Sequence, residues 1–288
     1  KPRMFRYVRD SSLINALGFP SKGMAAAGQN LRQLRDAGAD RGKPLIVSIA
    51  GLSIEDFLTC HAVLEPLADA IELNVSSPNT QGLRVFQEPD TFQDLLERLN
   101  RHRTKPIFAK IPPYSASADK ELSLALVRIA KELGADGLTV ANTRPIEAPR
   151  LAMKRGGLSG RVLLEDTLRM VADVRKEVGE VMAINACGGI SSAEDTLRML
   201  QAGANTVQLL TALVYRGPGV ARTINRGLVR MLEERNCNSL QTLAAMPKRL
   251  LSVRAGNLRR KTSGSNRLTR PAQGFLRRLL APPRRPDS

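Results

Sequence analysis

The sequence predicts an α/β fold built on parallel strands, and three observations carry that expectation. Short apolar runs suited to strands recur near residues 45, 71, 107, 138, 182 and 206. Each but the last leads into a segment of helical spacing and then into another strand, which is the pattern of parallel βαβ units. Several of these runs also end in small polar side chains, as they do where a site is built at the C-terminal ends of such strands.

Taken in order, Met24, Ala27, Leu31 and Leu34 recur at helical spacing, and Gly38 or Gly42 can end that helix before the strand at 45–49. Ser53 with Asp56 forms a capping-box pattern ahead of Ile54, Phe57, Leu58 and Ala62. That helix leads into Ile71, Leu73 and Val75. Phe92, Leu95, Leu96 and Leu99 mark the next helix, and Pro106 opens a strand at 107–111 that carries Lys110 among apolar neighbours. A lysine there either meets a partner, because burying an ammonium is costly, or snorkels out at the strand end. Leu122, Leu126, Ile129 and Leu133 form a helix closed by Gly134, and the strand at 137–141 ends in Asn142 and Thr143. The stretch 155–160 reads as a glycine-rich loop. Leu168, Val171, Val174 and Val178 give another helix before the strand at 182–186. Gly188 and Gly189 then precede a helix capped by Ser192 with Asp195, and paired glycines at that place let backbone N–H groups approach a phosphate. The last strand is expected at 207–211.

Composition narrows the class. A chain of 288 residues is long enough for one sizeable core. No run approaches the roughly 18 uncharged apolar residues of a membrane span. Cys60, Cys187 and Cys237 are odd in number and widely spaced, which argues against a disulfide framework and a zinc site and fits a reducing compartment. His61 and His102 are the only histidines, both expected on exposed helix faces. The net charge of +17 is uneven: residues 248–288 hold twelve Lys/Arg and one acid, so +11 belongs to that stretch and +6 to the remainder. Residues 1–247 are expected to form the folded domain and 248–288 a basic, disordered tail.

The most informative stretch is Asn74-Val75-Ser76-Ser77-Pro78-Asn79-Thr80-Gln81-Gly82-Leu83-Arg84. Pro78 ends the preceding strand and keeps Ser77 out of the helical region. A carboxamide both donates and accepts, so paired asparagines suit a planar ligand with alternating C=O and N–H groups. Read singly, these residues also fit an Asx or Ser turn capping a strand end.

This stretch closely resembles the signature of class 2, quinone-linked dihydroorotate dehydrogenases. The resemblance extends over roughly residues 1–245. It implies a TIM (β/α)8 barrel that is incomplete, with the six strands standing as strands three to eight and the family's N-terminal segment, including its A-A-G-x-D-K-N motif, lacking. It implies FMN as cofactor, dihydroorotate and orotate as substrate and product in de novo synthesis of UMP, and quinone as acceptor. A location peripheral to the inner membrane follows from the same resemblance, with a cytoplasmic location if the N-terminus is truly absent; the basic tail, read by its charge, would attract anionic lipid or else stay solvated, and nucleic acid is not an expected partner.

Residue by residue, Ser77 stands at the catalytic base. Asn15, Phe19, Asn74, Asn79, Asn142 and Thr143 stand at the pyrimidine contacts. Ser48, Asn74, Lys110, Ala141, Ser159, Gly160, Gly188, Gly189, Leu210 and Thr211 stand at the flavin contacts, and no metal site is implied. Phe19 read without the resemblance is a core residue. The sequence departs from class 2 in places: Ser48 replaces asparagine, Ala141 and Arg144 replace threonine, Leu210 replaces a common tyrosine, and Pro112-Pro113 replaces Ala-Pro. The run Ser48-Ile49-Ala50-Gly51 looks more like class 1. The lacking N-terminal segment, together with Ala141 and Leu210, motivates an alternative, a degenerate or truncated barrel acting as a non-catalytic structural or interaction subunit through its basic tail. Dihydropyrimidine or dihydrouridine chemistry fits less well, because those families use a cysteine donor and none stands near Ser77.

Overall fold

The computed structural model describes residues 1–39, 42–77, 82–115 and 117–246. Its centre is a six-stranded parallel sheet made of β3 (Ile46–Ile49), β4 (Ala70–Asn74), β5 (Ile107–Lys110), β6 (Gly137–Val140), β9 (Ala183–Cys187) and β10 (Thr206–Gln208), which neighbour one another in that order. Every adjacent pair is parallel. The crossovers are α1 (Met24–Asp36) before β3, then α2 (Ile54–Leu64), α3 (Pro89–Asn100), α4 (Ser117–Glu132), α5 (Leu164–Val178) and α6 (Ala193–Gln201). The result is an arc of an α/β barrel, open between β3 and β10, as the six expected strands required.

A second, four-stranded antiparallel sheet has the order β1 (Met4–Tyr7), β2 (Ser12–Asn15), β8 (Arg155–Gly160), β7 (Arg144–Glu147). It corrects two expectations. The stretch 155–160 is strand rather than loop, because Ser12–Asn15 and Arg144–Glu147 pair with its two edges. The final parallel strand is also shorter than expected: it stops at Gln208, and Thr211 opens α7 (Thr211–Arg216), which is followed by α8 (Val220–Glu234) and α9 (Leu240–Ala245).

Local chemistry sets the helix starts. Ser53 accepts from the Asp56 amide while Asp56 accepts from the Ser53 amide, completing the expected capping box of α2. Ser192 accepts from the Asp195 amide at the start of α6. The main core lies between the parallel sheet and its helices, where Phe57, Ile71, Leu73, Phe92, Leu95, Ile107, Leu126 and Leu138 are fully buried. A smaller cluster around Ile14, Leu151 and Leu158 packs the antiparallel sheet, and another joins α6 to α8 and α9 through Leu197, Ile224 and Leu243.

His61 departs from expectation: it is buried, 3.3 Å from Glu65, whose carboxylate accepts from the Thr104 and Lys105 amides. The four-residue spacing on α2 brings the pair together, and the apolar periodicity gave no sign of it. His102 is exposed as expected. Phe19 is 41% exposed and has a φ of 51°, so it is not a core side chain. Among the described residues no helix is long and apolar enough to cross a membrane. The basic stretch 248–288 and Asn79 lie outside the described residues.

Phe57 is the tightest test of this packing, since its ring is fully buried and meets Phe86 edge-on with centroids 5.0 Å apart. Phe57→Ala should lower stability by about 3–5 kcal/mol, a large part of a typical domain's total. Urea unfolding followed by circular dichroism measures the loss.

Candidate active site

The inward positions of the parallel sheet carry polar side chains where barrel interiors are usually filled by branched apolar ones. Their common partner is Glu72, 3% exposed in the middle of β4. Its Oε1 accepts from Ser48 Oγ at 2.9 Å, and Lys110 Nζ lies 3.6 Å from the same oxygen. Its Oε2 accepts from Thr139 Oγ1 at 2.6 Å and from Gln208 Nε2 at 3.1 Å. Burial alone would push the Glu72 carboxyl up. The Lys110 ammonium and the three hydrogen bonds outweigh it and hold the group below the ordinary carboxylate value. Lys110 therefore has the partner that its place in an apolar strand demanded. Glu72 was not among the expected site residues, although the period of two that aligns it with Asn74 on one face of β4 was available in the sequence.

Nearer the strand ends, Asn142 draws the next group together. Its Nδ2 donates to Asn74 Oδ1 and to Ser76 Oγ, both at 3.1 Å, and its Oδ1 accepts from the Thr143 amide at 2.7 Å. With one carboxamide oriented by three partners, Asn74 and Asn142 hold fixed positions. Ser76 is a further member that the sequence reading passed over. Ser77 follows and is 7% exposed.

Beside this group lies a cavity of about 470 Å³, within the range of about 300–1,000 Å³ usual for small-molecule sites. Strand β5 contributes Lys110 to its wall, and the loop after β6 contributes Ala141, Asn142 and Thr143. Ser159 and Gly160 come from β8, Gly188 and Gly189 follow β9, and Leu210 and Thr211 follow β10. Ten of the expected site residues thus share one cavity. Asn15, Phe19, Ser48, Asn74 and Ser77 are not in its wall; Asn15 ends β2 opposite Gly157.

Two glycines shape the cavity because no other residue fits. Gly160 has a φ of 101°, and a Cβ there would lie 2.7 Å from Ser12 Cα. Gly189 has a φ of 79°, and a Cβ would overlap the Leu164 backbone. Thr211 Oγ1 donates to Ser159 Oγ at 2.9 Å, joining the start of α7 to the end of β8, while Tyr215 OH donates to the Ser12 carbonyl at 2.7 Å. Arg161 and Arg216, not anticipated from sequence, also line the cavity. Arg161 donates to Ser191 Oγ at 3.0 Å and pairs with Asp195, and Arg216 donates to the Ser191 carbonyl. Burial pushes the Cys187 thiol up, so it faces this cavity as a neutral group.

This donor set suits a planar, hydrogen-bonding ligand carrying an anionic end: carboxamides and hydroxyls beside an ammonium, with a glycine cradle and two guanidinium groups at the rim. Comparison with known proteins agrees. Residues 1–232 match the family described as dihydroorotate dehydrogenase. A relative from Novosphingobium aromaticivorans, named dihydroorotate dehydrogenase (quinone), is 35% identical over 253 residues, covering 83% of this chain and 71% of its own length. One of the same name from Deinococcus radiodurans is 38% identical, covering 81% of this chain and 66% of its own length. The chain thus spans about two thirds of the length of such relatives. A crystal structure of ligand-free dihydroorotate dehydrogenase from Eimeria tenella superposes with a TM-score of 0.75 at 30% identity, over 86% of this chain and 78% of that one. The ferulenol complex of that enzyme gives 0.72 at 31% identity, over 84% of this chain and 73% of that one. The chain belongs to the dihydroorotate dehydrogenase family of oxidoreductases, on its class 2, quinone-linked side.

Proposed function

We propose that the chain oxidises (S)-dihydroorotate to orotate in the de novo route to UMP, with FMN as its flavin and a quinone as final acceptor. The observation that supports this most directly is the Asn74–Asn142–Ser76 network, placed next to a cavity whose wall holds Lys110 and two obligatory glycines. The residues fit the cofactor. Gly188, Gly189, Leu210 and Thr211 would hold its phosphate end, with Ser159, Gly160, Ala141 and Lys110 nearer the ring. FMN supplies two-electron redox chemistry when bound.

The chain's own groups do the rest. Asn74 and Asn142, with Thr143, Asn15 and Asn79, orient the pyrimidine through hydrogen bonds, and such a site rejects ligands that leave those groups unpaired. Phe19 would cover the base from its exposed loop. Ser77 takes the C5 proton. A neutral hydroxyl is a weak base, so it has to pass that proton onward as it receives it. The Lys110 ammonium favours negative charge developing in the cavity. Against the non-catalytic alternative, relatives of this chain carry enzyme names.

The direct experiment is to add FMN, remove the excess by gel filtration, and supply dihydroorotate anaerobically. A retained yellow colour that bleaches supports the proposal, and a folded but colourless protein refutes it for this chain. Ser77→Ala should lower the rate of bleaching by at least about 100-fold, the lower range for losing general-base catalysis, while FMN stays bound; an unchanged rate removes Ser77 from the role. Gly189→Ala should weaken FMN binding by at least about tenfold, because strain of ~1–3 kcal/mol would distort the cradle. Fluorescence titration of FMN reads that loss.

We further propose that residues 1–247 form the catalytic domain and that 248–288 attracts anionic membrane surfaces through its net charge of +11. Each basic residue near such a surface contributes about 1 kcal/mol. Deleting 248–288 should reduce sedimentation with phosphatidylserine vesicles and leave binding to neutral vesicles unchanged.

A further inference from the structure

Lys110 has two surroundings. Its side chain lines the cavity, yet its ammonium lies 3.6 Å from Glu72, which is not part of the cavity wall. Glu72 is in turn held from three sides by Ser48 on β3, Thr139 on β6 and Gln208 on β10. A carboxylate fixed by hydrogen bonds from three strands has little freedom to follow the lysine, so the lysine is the partner that must come to it. We infer that Glu72 is a positioning residue that anchors the Lys110 ammonium at the cavity wall, with Ser48, Thr139 and Gln208 as its mounting.

The geometry stands without a cofactor, and only its consequence rests on the flavin reading above. Without the carboxylate, a four-carbon lysine stem would sample other rotamers and the cavity would lose a fixed cation. The sheet explains why the anchor works. Glu72 is two residues before Asn74, and Asn74 is in register with Lys110, so the lysine reaches back along β4 to its partner. Hydroxyl and carboxamide donors from β3, β6 and β10, with the Lys110 ammonium from β5, together satisfy both carboxylate oxygens.

Limited acetylation of the full chain with acetic anhydride, read by peptide mass spectrometry, tests this with exposed Lys22 as internal reference. A held, paired ammonium acetylates slowly. Glu72→Gln should raise the Lys110 rate relative to Lys22 by about tenfold, equivalent to ~1.4 kcal/mol of lost interaction. Glu72→Asp retains the charge but withdraws it by one methylene, and should give a smaller rise, about threefold on the same scale. It also serves as the deciding variant should the glutamine form not fold. Ser48→Ala removes a donor but not the charge, and should leave the rate within about twofold. Lys110 reacting at the wild-type rate in both Glu72 variants overturns the inference, as does an equal rise in Ser48→Ala, which would indicate general loosening. FMN added to the wild type reports separately on the flavin reading. If FMN fails to slow Lys110 acetylation, that reading falls, while the Glu72 comparison still decides this one.

Discussion

A buried carboxylate beside a half-buried ammonium is the constraint around which this interior is built. Glu72 cannot be left alone in this interior, since a buried carboxylate without partners is an uncompensated charge, and leaving one typically costs about 3–5 kcal/mol. The pair must therefore be completed by further donors, and the sheet provides them: Ser48, Thr139 and Gln208, on strands β3, β6 and β10, all donate to the Glu72 carboxylate. A polar layer of this kind contributes less to stability than packed valines and isoleucines would. What it provides is a cation held at a fixed place in a cavity, at the ends of strands whose register fixes their relative positions.

The antiparallel sheet completes the other wall. On its own it packs only a modest core around Ile14, Leu151 and Leu158. Its contribution lies in where β8 ends. Ser159 and Gly160 meet Thr211 at the start of α7, and Tyr215 of the same helix reaches back to the Ser12 carbonyl on β2. These contacts clamp the extra sheet across the end of the barrel arc, so that one cavity is lined from both sheets. Glycine at 160 is required because the chain there passes against Ser11 and Ser12 with a positive φ.

The parallel sheet was legible because each of its strands is a short, nearly continuous apolar run between helices with clear caps. Ser53 and Ser192 announced α2 and α6 without any knowledge of the tertiary structure. The antiparallel strands were not legible in that way. Arg155–Gly160 contains three glycines and one leucine, a composition that favours turns, and becomes a strand only because β2 and β7 pair with it. Tertiary pairing overrode local propensity. His61 was misplaced for a related reason: its burial depends on Glu65 and on the Thr104 and Lys105 amides, which come from a distant loop. Ten residues of the cavity wall were recognised because motif residues cluster at strand ends, whereas Glu72, Arg161 and Arg216 act through partners far away in the chain.

Ser48 and Glu72 explain one another. Measured against the class 2 pattern, serine at 48 is a departure at a flavin-contact position, and taken alone it suggests a weakened site. In the structure its hydroxyl donates to Glu72 at 2.9 Å, and it does not form part of the cavity wall. An asparagine at this place would project further, and its amide would compete with Lys110 for the same Oε1. A short hydroxyl satisfies the carboxylate while leaving room for the lysine. The substitution therefore suits a barrel whose fourth strand carries a buried acid: the two residues stand opposite each other in the register of β3 and β4, and the polar layer needs both.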